Sequence, residues 1–528
     1  METKKIMKVR TQIFKQKNGG WSTLELLIAL GIMTVVLVPA TQVVLGNTEF
    51  ARDTRFSQAA LVMAEHNIEN AGRELHADWD SATTEYDSTS EVLPDEKSET
   101  MTITDISECL KEVTSQLDWN NSPIRSQATG ITTLVTNPSE VRRLGGGCNT
   151  MPPSGDWDTP EVLGYTSPSV IDGEATGIDV MNFAGQRYAF LTSVHSSPAK
   201  DDFWVIDGTD PESTPPPVVG QIHVSPGLNA IDVARLEIGG VSKTYAFAAN
   251  DDNADHLMVI DITDPLTATH LVSASRSLPE MTTGVARSIF YYDEKVYIGT
   301  QYLGCPLCPS TQNNEFHIFD VSDPTSPVWE GSIDVDRNVN AIVVSDGVAY
   351  LATGPGSSSP YTPLKIFDVD PDSLTYLQEI GSFAVPSDEQ GTSLYLLGTK
   401  LYLGRERATA SNKDFYILDV TNPVAPQEFP GGSSVKLALT GATAVVKDIE
   451  VQGRYAFLAI ENTTSQDTFQ VWDVATTNDL RRLNVCTAGD PLPQDMNGLV
   501  FVDNLIFASF RSNAAFRILY DTPDVCIP

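Results

Sequence analysis

The chain has 528 residues, 41% of them hydrophobic and 20% charged, with 34 basic against 69 acidic side chains and a net charge of −35. That length holds several domains and is ample for a sizeable core. Such an excess of carboxylate repels nucleic acid and anionic surfaces, which excludes nucleic acid as a partner; it suits solubility, or a surface that attracts cations such as Ca2+.

The basic residues are unevenly spread. The first twenty positions hold Lys4, Lys5, Lys8, Arg10, Lys15 and Lys17 against Glu2 alone. Next comes "GGWSTLELLIALGIMTVVLVPA", from Gly19 to Ala40. Between Leu26 and Leu45 only Thr34, Thr41 and Gln42 are polar. As a helix this run would reach about 30 Å, one hydrocarbon thickness. A basic flank before such a span stays cytoplasmic and sends the rest of the chain outside. Three readings fit: a secretory signal cut near "VPA" at 38–40, a plain anchor, and a third that rests on the residues around Gly20.

"GG/WSTLELL" resembles the cleavage motif of type IV prepilins, with Gly20, an aromatic residue next and a glutamate at the fifth mature position. The resemblance implies cutting by prepilin peptidase after Gly20 and N-methylation of Trp21. It also implies assembly with other pilins through the N-terminal helix, from the inner membrane into a cell-surface filament. Trp21 departs from the usual Phe, and "STLE" from "TLIE". A carboxylate at the centre of a spanning helix costs about 2.5–3.5 kcal/mol, less near its edge. In the pilin family the new N-terminal amine is its partner, which would make Glu25 an assembly residue. The other reading of Glu25 is an interfacial side chain reaching back to water.

Phe50, Asp53, Phe56, Ala60, Met63 and Asn67 form a row at three- and four-residue spacing, so the helix is expected to run on to about His76. Gly31, Pro39 and Gly46 are its points of bending. Residues 77–100 are acidic and rich in Ser and Thr, as exposed loops are. "MTITDI", "CLKEVTSQLDWN" and "QATGITTLVTN" follow, with the alternation of strands and a polar turn at Asn120–Pro123. This layout loosely resembles minor pilins and pseudopilins. Residues 142–160, "RRLGGGCNTMPPSGDWDTP", read as a linker.

From there the chain repeats itself. A strand ending in Asp, usually followed by a Pro turn, recurs at Asp207, Asp261, Asp320, Asp368, Asp419, Asp473 and Asp521, at intervals of 48 to 59 residues. A second strand precedes each, as in "KVYIGT" or "KLYLGR", and an edge-like strand follows most, as in "PVWEGSIDV". Four strands in about 50 residues make one propeller blade. The repeated "IDVSDP"-like turn resembles the LVIVD-repeat family of propellers. The strand-end Asp is read as a turn organiser, not a metal ligand or catalyst. The seventh unit stops after "FRILYDTPDVCIP" without an outer strand. "EVLGYTSPS" at 161–169 has the form of one, so it is expected to close blade seven.

All six cysteines, Cys109, Cys148, Cys305, Cys308, Cys486 and Cys526, follow the apolar run. An even count in an exported region favours disulfides, with pairing open. Cys305 and Cys308, in "GCPLCP", are read as a loop-tightening bridge, since no further zinc ligands stand nearby. Cys148 and Cys526 flank the expected closure and make a second candidate pair, with Cys486 as the rival partner. The seven histidines share no repeat position, and no G-x-S-x-G, H-E-x-x-H or P-loop occurs. "NDDNADH" at 250–256 is acid-rich but lacks the EF-hand spacing. No cofactor is expected, Ca2+ being the one candidate.

The fold class expected is therefore mainly β. A leader (1–20) is followed by a long N-terminal helix (21–76), a small α+β pilin-like region with linker (77–155) and a seven-bladed β-propeller (156–528). The function expected is not enzymatic: a modular minor pilin at a filament tip, displaying a propeller head for adhesion or ligand recognition. The alternatives are a pseudopilin of a type II-like secretion system and a membrane-anchored propeller enzyme.

Overall fold

The computed structural model describes parts of 54–136 and 157–521; residues 1–53, 76–96, 137–156 and 522–528, and several loops between strands, lie outside the description. The described residues fall into two compact units.

The first unit packs one helix on one sheet. The helix is described from Thr54 to Leu75, with a few positions between them outside the description. Its buried face is Ala60, Ala64, Asn67, Ala71 and Leu75, at helical spacing. Three strands, β1 (Lys97–Ser107), β2 (Leu110–Ser122) and β3 (Arg125–Thr136), lie in that order. Connections of two residues leave only antiparallel pairing. Ala60 and Ala64 meet Leu117 and Trp119; Ala71 and Leu75 meet Met101, Val113 and Val135. Alanine on the helix lets it approach the sheet closely, and the large side chains come from the strands.

This unit corrects two expectations. The long N-terminal pilin-type helix is not seen among the described residues, where the mainly β chain has only this short α-helix. A helix in water is stabilised chiefly by the face it packs, and the described helix packs Ala60, Ala64, Ala71 and Leu75 on the sheet. Nor is the single N-terminal membrane anchor seen, because among the described residues no helix is long and apolar enough to cross a membrane. Gly20, Trp21 and Glu25, with the apolar run 26–45, lie outside the described residues.

The second unit contains seven four-stranded sheets; the fifth carries one extra short strand. Their innermost strands are Glu174–Phe183, Leu228–Ile238, Val285–Tyr292, Val339–Ser345, Gly391–Leu397, Val445–Gln452 and Met496–Val502. Each touches the next, and the last touches the first, which closes a seven-bladed ring. Blades are numbered 1 to 7 in that order. The third strands, such as Phe203–Asp207, Leu257–Asp261 and Phe316–Asp320, are buried until their final Asp. Covered on both faces, they read as unbroken apolar runs rather than alternating ones.

Blade 7 takes its outer strand from the other end of the unit. Pro160–Tyr165 pairs antiparallel with Phe516–Asp521, Val162 opposite Leu519 and Gly164 opposite Ile518. The segment before this strand is not a free linker up to residue 160. Trp157 is fully buried between blades 6 and 7, edge-on to Phe457 at 4.9 Å.

The two faces of the ring differ. First and second strands of each blade are joined by tight turns: Asp293-Glu294, Asp346-Gly347 and Asp503-Asn504 have positive φ at both residues, the hairpin form that matches strand twist. Third and fourth strands are joined on that same face by the Asp turns. Asp207, Asp261, Asp320, Asp368, Asp419 and Asp473 each accept, through Oδ1, the N–H two residues on, at 2.8 to 3.1 Å. The residues after Asp521 lie outside the description. In five blades a second Asx turn follows, at Asp210, Asp264, Asp323, Asp370 and Asn422. The proline after each occupies a place where no N–H is needed. Hydrogen bonds from the hydroxyl and N–H of Ser322 hold the Asp320 carboxyl below its usual range. Asp320→Ala is expected to lower stability by about 1 kcal/mol, read by urea unfolding, without opening the ring.

Candidate functional site

The opposite face gathers the longer connections, because each innermost strand begins where its second strand ends. There the central channel opens into a cavity of about 620 Å3.

Its mouth is built from one repeated irregularity. Every innermost strand carries a β-bulge near its start, and the extra residue is Thr176, Asn229, Arg287, Asn340, Thr392, Lys447 or Asn497. A bulge re-aims a side chain, and all seven line the cavity. Five of them bond to the carbonyl just before the bulge of the next blade. Thr176 Oγ1 donates to Leu228 O, Asn229 Nδ2 to Ala286 O at 2.8 Å and Asn340 Nδ2 to Gly391 O at 2.7 Å. Thr392 Oγ1 donates to Val446 O and Asn497 Nδ2 to Ala175 O, both at 2.6 Å. The result is a hydrogen-bonded belt around the channel.

The residue after each bulge is small in six blades: Gly177, Ala230, Ser288, Ala341, Ser393 and Gly498. Its partner on the second strand is small as well, because the next blade presses against the pair. A Cβ on Gly404 would lie 2.2 Å from Ser393 Oγ and 2.6 Å from Val446 Cγ1. Removing a belt donor leaves a covered carbonyl unpaired. Asn497→Ala is expected to cost about 1–3 kcal/mol, seen as a lower denaturation midpoint with an unchanged urea slope.

Three residues below the bulge the channel divides by chemistry. Asp179, Asp232 and Glu450 stand at this level with Phe290, Val343, Tyr395 and Val500. Asp448 is placed one residue below its bulge. The carboxyls are half-buried, enclosed by protein yet within reach of channel water. Asp179 Oδ2 accepts Val233 N at 2.7 Å, Asp232 Oδ2 accepts Tyr291 N at 2.7 Å, and Asp448 Oδ2 accepts Leu499 N at 3.0 Å. Each bond crosses to the next blade, so these carboxyls staple the seams. Burial pushes Asp448 up to about 6, and burial with the charge of Asp448 pushes Glu450 up to about 8. Burial raises both Asp179 and Asp232, and Asp232 is raised further by the charge of Asp179. Tyr395 Oη donates to Glu450 Oε1 at 3.3 Å.

The mouth is uneven around its circumference. At blades 6, 7 and 1 the cations are held: Lys447 Nζ meets Glu461 at 3.2 Å, and Arg511 meets Glu461 at 3.4 Å and Glu174 at 3.1 Å. At blade 3 Arg287 is exposed, and Gln301, opposite Val285 on the next strand, lines the same cavity.

The turn aspartates stand on the far face, away from this mouth, and the structure does not bring them together. Cys109, Cys148, Cys305, Cys308, Cys486 and Cys526 all lie outside the described residues, among which no disulfide is seen. Around Asn250–His256, Asp252 caps Ala254 N and Asp251 bonds Asn229 Nδ2. Among the described residues no group of three His, Cys, Asp or Glu has the geometry to hold a metal ion. His256 and His317 are buried in neighbouring blades and held below the usual histidine range by burial, His317 to about 4. The sequence reading missed the bulge ring. Its signal is a polar residue, a small one and an aliphatic one at the head of six of the seven blades, as in "TGI", "NAI", "RSI" and "NGL".

The LVIVD repeat model matches residues 310–335, which include the third strand of blade 3, its double Asx turn and its outer strand. No curated protein matches the chain. Among solved structures it is similar to BamB from Moraxella catarrhalis, at 11% identity and TM-score 0.36, over 67% of this chain and 85% of that one. A quinonprotein alcohol dehydrogenase-like protein from Bacteroides thetaiotaomicron matches at 10% identity and TM-score 0.38, over 74% and 88%. A catalytically inactive virginiamycin B lyase from Staphylococcus aureus, with quinupristin, matches at 12% identity and TM-score 0.43, over 69% and 99%. Likeness at this level says nothing of activity. The second unit is a β-propeller that carries an LVIVD repeat.

Proposed function

We propose that the chain is a pilin-like subunit, processed after Gly20, whose propeller is a non-enzymatic recognition head. The observation that carries the reading is the mouth: a rigid seven-bladed ring gathers its longer connections on one face, around an open polar cavity. Loops held on a rigid scaffold are where recognition is usually built. The channel carboxyls with raised pKa are the natural candidates for acid–base chemistry. Three of them, however, are spent on backbone N–H groups across the seams, which is scaffold work.

The "GG/WSTLE" motif and a helix packed on a three-stranded sheet support the pilin-like part. Its partners on this reading are prepilin peptidase, other pilins through the segment that starts at Trp21, and a ligand for the propeller mouth. The test is mass spectrometry of the mature N-terminus after co-expression with a prepilin peptidase. A chain beginning at methylated Trp21, and an uncut Gly20→Ala variant, are expected. A start near Thr41, or an intact Met1 in both, would reject the pilin-like reading.

A further inference from the structure

The bulge residues do one structural task in five blades and are released from it in two. In blade 3, Ser288 Oγ makes the belt bond instead, donating to Val339 O at 3.0 Å. In blade 6 the seam is held by Leu499 N donating to Asp448 Oδ2 at 3.0 Å. The two released side chains are Arg287 and Lys447, both cations in a chain with 69 acidic and only 34 basic residues. Blades 3 and 6 stand nearly opposite across the channel. Glu461 takes Lys447. Arg287 makes no hydrogen bond or ion pair with any described residue, and Gln301, opposite Val285 on the next strand and lining the same cavity, is equally uncommitted.

We infer that the channel mouth binds an acidic sugar, a hexuronate unit of a glycan, with its carboxylate on the Arg287 guanidinium and its hydroxyls on the amides around it. This rests on the recognition-head reading and gives it a ligand class. A guanidinium presents a planar fork that matches a carboxylate. Amides both donate and accept, as sugar hydroxyls require. The belt uses the N–H groups of Asn229 and Asn340 and leaves their side-chain oxygens as acceptors for hydroxyl donors. Phe290 supplies an apolar wall below. A cavity of about 620 Å3 lies within the common range for small-ligand sites. A peptide C-terminus would offer the same carboxylate, but the amide- and hydroxyl-rich rim favours the sugar.

The test uses the full chain and three probes: glucuronate, glucose and N-acetyl-dialanine, followed by saturation-transfer NMR. Glucuronate is expected to bind at least about tenfold tighter than glucose, and more weakly as salt rises. Arg287 is exposed, so Arg287→Gln should leave the circular dichroism and melting curve unchanged while weakening glucuronate about ten- to a hundredfold. Equal binding by the variant, or no transfer to glucuronate, overturns the inference. So does Arg287-dependent binding of the peptide without glucuronate, although the recognition head would then stand with another ligand. Failure of the Gly20 processing test would instead reject the pilin-like reading and leave this site untouched.

Discussion

Replacing Trp157 with alanine is expected to destabilise the propeller by about 3–5 kcal/mol, among the largest effects of any single substitution outside the strands. The indole is fully buried. It lies 4.9 Å from the Phe457 ring and 6.0 Å from Phe501, centroid to centroid, in a cluster with Met496, Leu499 and Ala508. It thereby bridges blades 6 and 7 three residues before the closing strand begins. Its backbone is held at a φ of 52°, an unfavourable region for a bulky residue that the burial must outweigh. Alanine would leave a cavity and also loosen Pro160–Tyr165, so blade 7 would lose its outer strand more readily. Urea unfolding followed by circular dichroism measures the loss. Trp157→Phe should recover a large part of it, and a cost below about 1 kcal/mol for alanine would mean that the indole does not anchor the closure.

The second large effect is in pH. Asp448, Glu315 and Glu450 are raised to about 6, 7 and 8, chiefly by burial, and Asp179 and Asp232 are raised as well. A carboxyl with a raised folded pKa holds more protons in the native state than in the unfolded one. Its contribution is full below the unfolded value and is lost as pH rises through the folded value. Stability should therefore rise as pH falls from about 8 to about 5. His256, His270 and His317 act in the opposite sense, because their pKa values, lowered by burial, favour the unfolded state once pH drops below the free histidine value, about 6.5. Five carboxyls against three imidazoles set the net sign, and neutralising part of the net −35 acts in the same direction. Each of the four channel carboxyls is worth roughly 1–2 kcal/mol at most, since channel water screens it; Glu315 lies outside the channel, buried just before the third strand of blade 3, where its Oε2 accepts Val335 N. Melting temperature against pH is the measurement. The double variant Asp232→Asn, Glu450→Gln should melt higher than the parent at about pH 8 and show a flatter curve. A parent curve that falls steadily from about pH 8 to 5 would contradict the raised values.

What was legible in the sequence was what is local or periodic. The seven strand-end aspartates announce themselves because an Asx turn needs its acceptor two residues before its donor, and that spacing survives in the chain. The closing strand was legible because the repeat count left one blade short and "EVLGY" supplied the missing pattern ahead of the first full unit. The bulge ring was not. A polar residue within an apolar strand, such as Asn229 or Thr392, reads as a solvent-facing position. Only the closed ring shows that its partner is a carbonyl some fifty residues away on the next blade. Arg287 could not be distinguished from any other surface arginine until its six counterparts were seen to have tasks. Helix length failed for a related reason. The apolar run 26–45 and the row from Phe50 invited one continuous helix, whereas the described residues show a short helix packed on Trp119, Val113 and Met101.

Amide hydrogen exchange of residues 160–165, read by mass spectrometry of the intact chain, tests the closed ring most directly. Hydrogen bonding to Phe516–Asp521 predicts that this strand exchanges as slowly as the partner it pairs with, and that both are released together on unfolding. Exchange of 160–165 within seconds, like a free tail, while 516–521 stays protected, would mean that the ring is open and that the mouth has no fixed circumference on which to build a site.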